Sequence, residues 1–129
     1  MKSWIIEGAN VRDIPSFYAE INRIFMQEED WNIAPSLDAF NDLLYGGFGA
    51  LKDAEEVHII WMDSAQSAAA LGLQTTRAYY EAKVQAGTAY NHSLFKEKLE
   101  ALVQGKGKTY FEIVQEIIKM HPRIILENR

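Results

Sequence analysis

Three short runs rich in Ile, Val and Trp, at residues 3–6, 57–62 and 123–126, constrain this chain more than any other feature. Each reads as a strand, and each is separated from the next by apolar residues at helical spacing. Strands that alternate with helices cannot close as tight hairpins. They meet through crossovers, side by side and parallel. The expected class is therefore α/β: a small three-stranded parallel sheet packed with helices. A length of 129 residues suits one domain, 1–129, with a core that needs no disulfide or metal staple. No internal repeat, low-complexity tract or linker divides it.

The punctuation between the runs places the helices. The first begins after Asp13, with Pro15 in its first turn, and repeats Ile14, Phe17, Tyr18, Ile21, Ile24 and Phe25. A polar loop, 27–35, leads to a short helix that Ser36 caps and a left-handed Gly46 ends. Gly46, Gly47 and Gly49 then break the chain before the central strand. After it, Ser64, or Asp63 and Ser64 together, would cap an alanine-rich helix ending at Gly72. Helical segments at about 75–86 and 91–104 are each closed by a glycine, Gly87 and Gly105. Thr109 and Glu112 form a capping box for the last helix, whose apolar face is Ile113, Val114, Ile117 and Ile118. His121-Pro122 stops it before the third strand.

Composition removes several function classes. The chain has no cysteine, so thiolate catalysis, disulfides and cysteine-bound zinc are excluded. The first apolar run is too short for a signal peptide, and no stretch approaches the ~20 apolar residues of a membrane span. A soluble, cytoplasmic chain with no membrane partner, monomeric when free, is expected. Its 18 acids exceed its 13 bases, and the excess is local. Between Arg23 and Lys52 there is no Lys or Arg, while Glu28, Glu29, Asp30, Asp38 and Asp42 all fall there. Without those five, acids and bases balance. Such a segment attracts a basic partner and disfavours nucleic acid.

Within it, Ser-Leu-Asp-Ala-Phe-Asn-Asp-Leu-Leu-Tyr-Gly-Gly (36–47) has two sides. Leu37, Phe40, Leu43 and Leu44 belong in a core. Asp38, Asn41, Asp42 and Tyr45 share the opposite stripe, with two carboxylates one turn apart. The helix dipole accounts for Asp38, in the first turn, at ~0.3–1 kcal/mol. It does not account for Asp42, in the second turn. A like-charge pair at this spacing costs roughly 0.2–0.5 kcal/mol, little enough for an ordinary solvated face. On these residues alone, a binding face and a solvated face both stand.

Catalytic patterns are thin. His58, His92 and His121 have no helical metal-ligand partner, and His58 suits a half-exposed strand position. Gly46-Gly47-Phe48-Gly49 lacks the lysine and hydroxyl of a phosphate loop and reads as a turn. Asp63 ends the central strand, where parallel sheets place ligand-binding acids, but helix capping explains it as well. A metal-dependent enzyme built on Asp38 and Asp42 is one alternative; otherwise no catalytic residue, metal or cofactor is expected. Trp31, in the polar loop, is either a loop anchor or the aromatic of a binding face. Of Tyr79 and Tyr80, at least one should be core. Gly105-Lys-Gly-Lys108 is too short for a nucleic-acid site and reads as a flexible loop.

The run Leu37-Asp38-Ala39-Phe40-Asn41-Asp42, followed by Leu43, Leu44 and Gly46, resembles the inhibitory helix of the barstar family, inhibitors of barnase-type ribonucleases. The element order agrees over about 1–72 and 108–126: an Ile-Ile-Glu-Gly strand, a Phe/Tyr/Ile helix, an aromatic-bearing loop, the acidic helix, a Trp61-Met62-Asp63 strand end, and a closing helix and strand. The resemblance implies a barstar-like fold and no enzymatic activity. It implies that this helix and the loop before it plug the active site of an extracellular-type ribonuclease or related toxin, the acids imitating substrate phosphates. Asp42 matches the family's central acid, Asp38 the acid one turn earlier, Gly46 a glycine at the contact edge, and Glu116 a peripheral acid. Three departures stand out. Asn41 replaces a tryptophan of the family. The loop's contact tyrosine falls on Asn32, or on Trp31 with a one-residue gap. Residues from about 73 to 106 form a helical insertion that some larger members share. A relative with no nuclease left to inhibit, acting only as an interaction domain, is the other alternative.

Overall fold

A computed structural model describes residues 2–86 and 89–129, with the side chains of residues 89 and 90 left aside. The three expected strands form: β1 (Lys2–Glu7), β2 (Val57–Met62) and β3 (Ile124–Asn128). They pair in the order β1-β2-β3, both pairs parallel, with Lys2 opposite Val57 and Val57 opposite Ile124. α1 (Ile14–Phe25) and α2 (Leu37–Tyr45) lie in the first crossover. The second crossover carries α3 (Ser64–Ala70), α4 (Leu73–Ala86), α5 (Ala89–Val103) and α6 (Tyr110–Lys119). The proposed Gly87 stop lies outside the described residues.

Local signals set most helix ends. Asp13 and Ser16 close a reciprocal capping box at α1, and Thr109 and Glu112 do the same at α6. Ser36 caps α2 by accepting from the Ala39 amide, and Gly46 ends it at φ +86°. A side chain at Gly46 would also meet the Leu51 carbonyl and the Arg123 guanidinium at under 3 Å, so this glycine has a structural reason of its own. The start of α3 departs from expectation. Neither Asp63 nor Ser64 caps it: Asp63 sits in the left-handed region, and the Ser64 hydroxyl donates instead to the Arg129 carbonyl. α4 starts two residues earlier than its apolar pattern suggests.

β2 shows how the core is built. Val57, Ile59 and Trp61 alternate inward and are fully buried, while His58, Ile60 and Met62 on the other face are half-buried. Trp61 stacks on Phe17 and meets Phe111 edge-on, and its indole N–H donates to Ser67 Oγ at 2.9 Å. Ile21, Phe25, Phe40, Leu43, Leu44, Val114 and Ile118 complete one continuous core. Ile5 and Ile125 stay exposed on the opposite face. Parallel sheets are ordinarily covered on both sides. Here the burial pattern puts the packed helices on one.

α4 and α5 pack on one another. α4 is fastened to the core: Thr76 Oγ1 donates to the Gly72 carbonyl and accepts the Tyr110 amide, both at 2.7 Å. Tyr80 is buried and Tyr79 half-buried against Tyr110.

Candidate protein-binding face

α2 is a held platform. Phe40, Leu43 and Leu44 are buried, and Leu37 half-buried, so their side of the helix is fixed to the core. Arg123 secures its C-terminal end, donating to the Leu44 carbonyl at 2.5 Å and to the Ala54 carbonyl at 2.6 Å. A cation there also opposes the negative end of the helix dipole. Arg123 is not the first residue of the third strand, as its Arg-Ile-Ile-Leu context suggests. β3 begins at Ile124, and the Arg123 side chain turns back across the sheet end toward α2.

The opposite stripe divides in two. Asp38, Asp42 and Tyr45 are exposed, Tyr45 at 68%. Neither aspartate makes a hydrogen bond or ion pair among the described residues. Asn41 does not face open water with them: it is half-buried, its Oδ1 2.7 Å from His121 Nε2. The imidazole then meets the Tyr45 ring edge-on at 4.7 Å. Asn41 thus spends its amide on holding the helix, and Tyr45 is braced from beneath by a buried histidine.

The flanking loop is pinned as well. The Asn22 side chain accepts the Ile33 amide at 2.9 Å, and the Phe25 carbonyl accepts the Ala50 amide at 2.7 Å. Trp31 packs on Phe48, centroids 4.9 Å apart, yet keeps 45% of its surface exposed. It is both anchor and exposed aromatic. Asn32 is exposed beside it. Glu28 and Asp30 are exposed, while Glu29 is half-buried and accepts weakly from the Gly49 amide at 3.4 Å. Loop, helix and following turn are thus each held in place, with Trp31, Asn32, Asp38, Asp42 and Tyr45 exposed on the loop and helix.

Glu116 lines a cleft together with Leu37 of α2. On α6, both its oxygens accept from Lys108 Nζ, at 2.7 and 2.8 Å, so its charge is matched where Asp38 and Asp42 are not. The acid-rich segment also gains a base in space, Arg123, although that guanidinium is committed to backbone carbonyls. His121 and Arg123 are the supports that sequence reading missed. Their sequence context read otherwise, His121-Pro122 as a helix stop and Arg123 as the first residue of the third strand.

His121 carries a pH consequence. Burial, then the Arg123 charge, holds its pKa below the ordinary 6.5. The unfolded chain therefore takes up the proton first as pH falls, and folding stability drops. Urea midpoints should be steady above about pH 6.5 and decline below it as the folded histidine titrates; His121→Gln should flatten that slope.

Comparison with protein-family models, with curated proteins and with solved structures yields no match for this chain. Among the described residues no three His, Asp or Glu side chains gather to hold a metal, and no helix is long and apolar enough to cross a membrane.

Proposed function

We propose that this chain is a barstar-like inhibitor of a barnase-type ribonuclease, or an immunity protein to a related toxin, acting in the cytoplasm by one-to-one binding and with no catalysis of its own. The observation that carries this reading is the pair Asp38 and Asp42. Both are exposed and without an ion pair among the described residues, on a helix fixed by Ser36, Arg123 and the Asn41–His121 bond. A ribonuclease gathers cationic groups around the phosphate it cleaves. Two carboxylates on a rigid helix meet such a site with charge-assisted hydrogen bonds and little ordering cost. Trp31 and Tyr45 supply the exposed aromatic surface typical of interface anchors. The element order and the parallel pairing of three strands support this reading, in which α4 and α5 are the insertion.

In this reading Asn41 positions the helix where family members carry a contact tryptophan. Gly46 keeps the contact edge low, Asn32 lies beside Trp31, and Glu116 contributes least because Lys108 already pairs it. The metal-enzyme alternative would need a third ligand beside the two aspartates, and none gathers there among the described residues.

Adding a barnase-type ribonuclease to 15N-labelled protein should shift amides in residues 28–48. Shifts confined to α4 and α5 would move the docking face away from α2. The association rate should also fall by about tenfold as salt rises from about 50 to about 500 mM, because screening removes the long-range attraction. A rate independent of salt would argue against the acidic patch as the steering surface.

A further inference from the structure

The insertion leaves a cleft beside the start of α2, where Leu37 contributes to the lining. α5 leans on α4, while α4 is bonded to the start of α6 through Thr76, so α5 stands away from α6. Between them opens a cleft of about 460 Å³, a size typical of small-molecule sites. Its walls are aromatic and aliphatic, with Tyr79, Tyr80 and Phe95 the largest members. Tyr80 lies between the other two, 5.5 Å from Tyr79 and 6.2 Å from Phe95 between centroids.

The mouth is cationic in an acidic chain. Lys98, Lys106 and Lys108 line it, against Glu116 as the one acid of the lining. Lys108 matches Glu116, which leaves Lys98 and Lys106 with no ion pair among the described residues. Outside the lining, Lys83 lies 5.5 Å from the Tyr79 ring and Asp38 also acts on that tyrosine, so charges of both signs flank it. Apolar walls left unfilled forfeit dispersion contacts, and two neighbouring ammoniums with no counter-ion repel each other. One occupant relieves both: a flat ring against the aromatic wall, bearing an anionic group at the lysines.

We propose that the cleft between α4, α5 and α6 binds a small aromatic anion of mononucleotide size, its ring on Tyr79, Tyr80 and Phe95 and its phosphate or carboxylate held by Lys98 and Lys106. The cleft adjoins the start of α2 through Leu37, but Lys98 and Lys106 belong to α5 and the loop after it, so their replacement tests this site apart from ribonuclease binding. Aromatic stacking supplies the apolar part of recognition, and the lysines select the charge.

Adenosine 5′-monophosphate and indole-3-acetate serve as probes, with adenosine lacking the anion and ribose 5-phosphate lacking the ring. Titrated into the 15N-labelled full chain, either aromatic anion should give saturable shifts at Tyr79, Lys98 and Gly107. Adenosine and ribose 5-phosphate should each bind about tenfold more weakly than the nucleotide. Saturation by the nucleotide alone assigns a phosphate ligand, and saturation by both assigns an aromatic anion in general. The Lys98→Ala/Lys106→Ala variant alters exposed residues only, so its fold should be retained; its affinity should fall about tenfold. Three results would overturn the proposal: no saturation by either aromatic anion at about 10 mM, ribose 5-phosphate binding as tightly as the nucleotide, or unchanged affinity in the lysine variant.

Discussion

Replacing Asp42 with alanine is expected to weaken ribonuclease binding by at least about 2 kcal/mol, roughly thirtyfold or more in Kd, while leaving the fold intact. Asp42 is exposed, and its carboxylate makes no bond that holds the helix among the described residues. Removing it also lifts the like-charge cost with Asp38, so the variant should be equally stable or more stable by roughly 0.2–0.5 kcal/mol. Asp38→Ala should weaken binding less. That residue sits in the first turn, where the helix dipole already offsets part of its charge, and its removal forfeits a modest helix-stabilising contact. Isothermal titration against a barnase-type ribonuclease, with thermal midpoints measured in parallel, separates the two effects. An Asp42→Ala chain that bound like wild type would remove Asp42 from the interface. A chain that lost binding together with its thermal midpoint would instead give Asp42 a structural role.

The largest expected loss of stability lies far from that face. Glu20 is a buried acid on α1, only 3% exposed, and its carboxylate gathers four hydrogen bonds. Arg23 donates two, at 2.8 and 2.6 Å, the Glu7 amide one at 2.8 Å and Asn10 one at 3.0 Å. The acid thereby ties the end of β1 and the turn after it to the first crossover helix. Glu20→Ala leaves those donors without their acceptor and should cost roughly 2–3 kcal/mol. A fully buried pair would cost about 3–5 kcal/mol when broken, but Arg23 is more than half exposed and can turn to water. Burial alone would raise the Glu20 pKa; the bonds from Arg23, Glu7 and Asn10 outweigh it and hold the group below the ordinary 4.5. Its contribution is therefore complete above about pH 4.5 and is lost as pH falls through the lower folded value. Glu20→Gln, which cannot ionise, should remove that acid limb from the urea-midpoint profile. An unchanged limb would assign it to other carboxylates.

Residues with local reasons to be where they are could be read in advance. Ser36, Asp13 and Thr109 act within three residues of themselves, and Gly46 answers a backbone angle, so their signals are short and additive. The three strands were legible because β-branched runs carry their own periodicity. What escaped was long-range. Arg123 reaches a carbonyl 79 positions away, and His121 an amide 80 away. Nothing in either's neighbourhood marks that reach. The acidic stripe shows the same limit: helical spacing placed Asn41 beside Asp38 and Asp42, but only the packing of α2 on the end of α6 turns it toward His121. The α3 start failed for a related reason, since Asp63 looked like a cap and instead takes a left-handed backbone while Ser64 bonds to the far end of β3. Helices α4 and α5 were legible as helices. The cleft they leave was not, because it depends on how far α5 stands from α6.

In the proposed complex, Asp38, Asp42, Tyr45 and Trp31 cover the active site of a barnase-type ribonuclease. The most direct test is to titrate such an enzyme with this chain while following RNA cleavage. Activity should fall in proportion to added chain and be abolished near one equivalent. Full activity at about tenfold excess of the chain would contradict it.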